Sequence, residues 1–238
     1  MAAPLDREGG FVLSREHPSD LHKVTEKLIL SCRVPTHHDQ QERQNLSSPE
    51  LRNFSEYAKN SPLDQQVAAM QALADAMPTF APFGAARVAV YFGSLVEGKG
   101  DANVSGPGVI YQLRQQMATV ATLVAKLPDN SGPNDLTNMR KITLEQSEAV
   151  RALEFVAQSA VSHLACLPQW REQLIADDNF TRNVDVAREH HVGAHWMHGV
   201  LSLRSGEFLA LFPKEGTGFR IGYKNIGNNF HLFTVLSG

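Results

Sequence analysis

Along residues 19–198, apolar positions recur every three or four residues, the period of an amphipathic helix. Ser19 and Asp20 cap a first predicted helix over roughly 20–33, with Leu21, Val24, Leu28 and Leu30 or Cys32 on its apolar side. Ser48-Pro49-Glu50 and Ser61-Pro62-Leu63-Asp64 repeat one start signal, a capping serine followed by a proline suited to the first turn. The second of these predicts a helix to about Met77 with Leu63, Val67, Met70 and Leu73 or Ala74 inward. Pro78 stops it, and Pro82 opens another helix to about Glu97. In that helix Ala85, Ala89 and Gly93 form a small-residue ridge that lets a neighbour approach closely.

Ser105-Gly106-Pro107 predicts a long helix to about Leu127, on the stripe Ile110, Leu113, Met117, Val120, Val124 and Leu127. Thr143-Leu144-Glu145-Gln146 is a capping box, and its helix runs to Cys166 with Ala149, Leu153, Val156, Ala160 and Leu164 on one side. Pro168 begins a short helix through Ile175.

After His198 the helical period gives way to short apolar runs between glycine turns. Strands are predicted near 200–204, 207–213, 218–224 and 229–236, in an antiparallel meander whose Phe219, Ile221 and Tyr223 pack on the helices. The expected organisation is a flexible tail over 1–18, a helical region over 19–198 and the meander over 199–238, together one α+β domain of about seven helices. Helix starts fall at irregular intervals, so the chain carries no true repeat.

Composition narrows the function classes. The 238 residues are 42% hydrophobic and 20% charged, a globular balance. With 22 basic and 25 acidic residues the net charge is −3, which offers no broad basic surface to nucleic acid or to an anionic membrane. The two cysteines, Cys32 and Cys166, lie in apolar contexts and read as small hydrophobes. The polar N-terminus carries no secretory core, and the most apolar stretch, Ala85 to Val96, is too short to span a membrane and contains Arg87. Cytosol is the expected compartment.

Chemistry concentrates in one place. His190, His191, His195 and His198 fall within nine residues. On a continuous helix His191, His195 and His198 stand at i, i+4 and i+7, one face from which three imidazoles can hold zinc or another transition metal. Glu189 is then the candidate general base for a metal-bound water. Two features oppose this reading: the His-Glu-x-x-His pattern is absent, and Gly193 interrupts the run. The competing reading makes these histidines packing residues on the stripe Val184, Ala187, His191, Ala194 and His198. His37-His38-Asp39 reads as solvated loop, His163 as a satisfied core histidine, and no nucleophile elbow or phosphate-binding loop is present. Many amphipathic helices without a strong catalytic motif favour a protein that acts through a protein partner, the alternative being a metal-dependent hydrolase.

Overall fold

Side-chain caps open the helices that begin at Pro49, Ala102, Leu144, Asp178 and Val192, whereas those at Leu63, Pro82 and Pro168 begin without one. In a computed structural model, the described residues are 19–35, 46, 48–128, 131–132, 135–136, 139, 142–212 and 216–226. Ser48 accepts the Leu51 N–H at 3.1 Å and opens α2 (Pro49–Asn60), after α1 (Ser19–Cys32). α3 (Leu63–Ala76) passes into a 3₁₀ turn at Met77–Thr79, where Pro78 ends the α-helical ladder. α4 (Pro82–Glu97) and α5 (Ala102–Val124) follow. The box at α6 (Leu144–Cys166) is closed on both sides: Thr143 Oγ1 accepts the Gln146 N–H at 3.1 Å and Gln146 Oε1 accepts the Thr143 N–H at 3.0 Å. Short α7 (Pro168–Ile175) leads to α8 (Asp178–Ala187), where Asp177 accepts the N–H groups of Asn179 and Phe180. Caps of this kind are each worth about 1 kcal/mol. α9 (Val192–Leu201) ends the helical part.

α6 is the hub. α4 and α5 lie along it, α9 packs on its N-terminal half, α3 and α8 cover α5, and α1 and α2 close the far side. Ala149, Leu153, Val156, Ala160 and Leu164 are all buried, as the stripe predicts. The small-residue ridge meets α6: at Gly93 an added Cβ would lie 3.0 Å from Ser159 Oγ. α1 resolves its own ambiguity, because Cys32 is buried and Leu30 is 61% exposed.

Three details differ from the sequence expectation. Leu63 and Val67 face solvent, because α3 buries only Ala69, Leu73 and Ala74, toward its C-terminal end. α5 starts at Ala102, capped by Asp101, so Pro107 stands inside the helix instead of at its first turn. Residues 200–201 finish α9 instead of starting a strand.

The expected strands near 207–213 and 218–224 are present as β1 (Arg204–Phe212) and β2 (Thr217–Ile226), an antiparallel hairpin pairing Ala210 with Phe219 and Leu209 with Arg220. Gly216, at φ +63°, takes the left-handed conformation the turn needs. Thus the fold is α+β, a helical body followed by a small antiparallel sheet. The tail over 1–18, His37-His38-Asp39 and the strand expected at 229–236 lie outside the described residues. Phe219, expected against the helices, is 60% exposed; its ring meets Phe212 edge to face at 5.8 Å.

Candidate functional site

The chain does not deliver its clustered histidines to one point. α8 ends at Ala187, whose carbonyl accepts both the His190 and the His191 N–H, at 3.0 and 2.9 Å. His191 is extended (φ −146°, ψ 124°) and serves as the N-cap of α9. Its Nδ1 accepts the Gly193 N–H at 3.0 Å, and its Nε2–H donates to the Val150 carbonyl of α6 at 2.6 Å. Both ring nitrogens are engaged, so the lone pair a metal would need is already committed to a cap. Gly193 suits the same docking: a Cβ there would lie 3.0 Å from the Leu153 carbonyl, so a side chain would press α9 away from α6 by a few tenths of an ångström.

His198 turns back toward α8. Its Nε2 accepts from the Arg188 guanidinium at 2.7 Å, and Asp185 bonds the same arginine at 3.6 Å. His195 is exposed. Glu189, the expected general base, is a solvent-facing partner of Arg188 at 3.4 Å, with its side chain 77% exposed. The break at residues 188–191 removes the helical register that i, i+4 and i+7 require. His191, His195 and His198 therefore do not form a ligand set, and among the described residues no group of three or more His, Cys, Asp or Glu side chains is placed to share a metal.

His163, read from sequence as a core histidine, is fully buried. Its Nδ1–H donates to the Ser159 carbonyl at 2.7 Å, and its Nε2 accepts the Ser105 hydroxyl at 2.8 Å. Ser159 Oγ in turn donates to the Ala89 carbonyl at 2.6 Å. A serine hydroxyl bonded to an imidazole can be an activated nucleophile. Here both groups are sealed, and Trp170 lies directly over Gly106, where a Cβ would overlap its ring. The chain of bonds instead ties α4, α5 and α6 together. Cys32 is also inert: burial raises its thiol to about 11. Cys166 is exposed, unlike the buried position its sequence context predicts.

Burial lowers the pKa of His163 and of His191, against the weaker opposing pull of the carbonyls each ring meets. The sign follows directly. On acidification the unfolded chain takes up protons first, near 6.5, so both histidines contribute stability that is complete at neutral pH and lost as pH falls. The slope is at most about 1.4 kcal/mol per pH unit for each histidine. Urea midpoints measured between about pH 7 and pH 5 are expected to decline, and the His163→Leu chain to decline less steeply. Equal slopes in the two proteins would remove His163 from this account.

A groove of about 540 Å³ opens beside α5. Pro78, Phe80 and Pro82 form one wall, Gln112 and Gln116 lie along α5, and Glu145 stands at the start of α6. The sequence reading passed over it. Its signal was the pair Gln112 and Gln116, one turn apart and directly beside the core positions Leu113 and Met117. Compared with known proteins, the chain matches no family model, and no curated protein or solved structure shows significant similarity to it.

Proposed function

We propose that this protein acts by non-covalent contact with a partner protein, through the hairpin of β1 and β2. One observation carries the reading. Leu209, Leu211, Phe212 and Phe219 are exposed by 61, 65, 46 and 60% on a single two-stranded element. A hairpin alone is marginal in water, because two strands bury too little apolar surface. Register places Ala210, Phe212, Phe219 and Ile221 on one side of this hairpin. Leu209 and Leu211 lie on the other side with Glu207 and Arg220, which pair at 3.5 Å, so the aromatic side is free of charge at those positions. Exposed apolar area gathered on one side, as at Phe212 and Phe219, marks a contact surface, whereas scattered exposed leucines do not. The occupant is a protein surface that is itself apolar and can lay a strand along β1 or β2, so that main-chain bonds add to side-chain burial. Two free thiols, one of them exposed, suit a reducing compartment, and we place the protein in the cytosol with this reading. Among the described residues, no helix is long and apolar enough to cross a membrane.

The test is site-specific photo-crosslinking in cells. A benzoylphenylalanine at position 219 is expected to give a discrete adduct, lost when Phe212 is changed to Ser. The same probe at Leu63, which is 73% exposed at the start of α3 and outside the hairpin, serves as the control. Identical adducts from both positions, or none from 219, would overturn the reading.

A further inference from the structure

Glutamine is an expensive side chain to bury unless each of its amide groups finds a partner. α5 buries two of them: Gln112 is 4% and Gln116 is 2% exposed. Their amino groups are accounted for. Gln112 Nε2 donates to the Met77 carbonyl at 2.5 Å, and Gln116 Nε2 donates to the Pro82 carbonyl and to Gln112 Oε1, both at 3.3 Å. These bonds fix which way the Gln116 amide faces, since its NH₂ is directed at two carbonyl oxygens. Its Oε1 is left buried with no donor. Gln116 lines the groove of about 540 Å³, a volume suited to a small molecule or a single long side chain.

The rest of the lining says what kind of donor belongs there. Among the described residues it contains one carboxylate, Glu145, and no lysine, arginine or histidine. Tyr111, 40% exposed, supplies an aromatic wall of the kind that attracts a cation. The start of α6 also borders the groove, and a free helix N-terminus would favour an anion. Here the capping box takes the N–H groups of Thr143 and Gln146, and the Glu145 carboxylate stands in the same first turn and opposes an anion there. The groove thus offers a ligand one negative charge and one buried acceptor that lacks a donor.

We propose that this groove binds a cationic N–H donor, a guanidinium or ammonium group, with Gln116 Oε1 as its buried acceptor and Glu145 as its counter-charge. Such a group comes from a free amine or from a basic side chain of a peptide. Both sources share the chemistry that the groove selects, and the proposal is independent of the hairpin contact.

The experiment is a titration of the full chain, labelled with ¹⁵N, followed through the side-chain amide resonances of Gln112 and Gln116. Agmatine represents the free amine and N-acetyl-arginine methylamide the peptide side chain; succinate and acetamide are the anionic and neutral controls. Saturable shifts of both resonances are expected with at least one cationic probe, and the tighter of the two identifies the source. Glu145→Gln, a change at an exposed position, is expected to weaken that probe about threefold or more and to flatten its salt dependence. Gln116→Met, which removes the acceptor at similar volume, is expected to weaken it at least about tenfold. Where Gln116→Met does not fold, the Glu145→Gln result decides alone. No saturable shift with either cation, an equal response to succinate, or unchanged affinity in Glu145→Gln overturns the proposal.

Discussion

Gly84→Ala is expected to destabilise the protein by about 2–4 kcal/mol, although alanine is the better helix former by about 1 kcal/mol. The reason lies in how α1 ends. A Cβ at residue 84 would stand 2.2 Å from the Cys32 carbonyl oxygen and 2.7 Å from its Cα, both main-chain atoms that no rotamer change can move. That carbonyl also accepts the Ala81 N–H at 2.9 Å, so it is held from two sides. Relief requires lifting the end of α1 from the start of α4, which uncovers Leu28 and Cys32. Gly93→Ala provides the scale, because its nearest neighbours are Ser159 side-chain and Cα atoms at 3.0–3.2 Å, and its cost should be the smaller. Urea denaturation of both variants checks the ordering. A Gly84→Ala chain as stable as the parent would mean that α1 does not end against α4.

The second large effect concerns the polar bonds inside the helical core. His163→Leu keeps an apolar filling but leaves the buried Ser105 hydroxyl without its acceptor. The expected cost is about 2–4 kcal/mol, from the orphaned hydroxyl together with the change of shape. Ser105→Ala placed on top of it removes the orphan, so the double variant should be no less stable than His163→Leu alone. The coupling between the two positions should reach about 1 kcal/mol or more. Strict additivity would show that Ser105 and His163 do not depend on one another.

Much of the helical architecture was legible because caps and period agree with the packing. Thr143 and Gln146 announced α6, and all five residues of its predicted stripe are buried. Ala85, Ala89 and Gly93 announced a close approach, which α6 makes. The errors arose where tertiary contact overrides local pattern. Leu63 and Val67 carry the right period, but α3 turns only its later residues, Ala69, Leu73 and Ala74, into the core. Pro107 marked a helix start, yet Asp101 caps the helix earlier. The histidine cluster shows the same limit for a site. Spacing alone gave one shared face, and the turn at residues 188–191 divided it. What decides that turn is the reach of His191 to the Val150 carbonyl, 41 residues away, a contact that no local period contains. The Gln112 and Gln116 pair was visible as sequence, but its meaning depends on the Met77 and Pro82 carbonyls that the fold brings to it.

The position of α6 at the hub bears on how the chain can acquire its structure during synthesis. α4 finds most of its packing, and α5 a large share of its own, against a helix that begins only at Leu144, after both have been synthesised. Until then the side of α4 that carries Ala89 and Gly93 lacks the helix against which it packs in the finished protein. The first half of the chain is therefore born with its sticky faces open, and it closes only when residues 144–166 arrive to be wrapped. Premature termination in that interval leaves α1 to α5 without the helix that joins them, a species suited to chaperone capture more than to function.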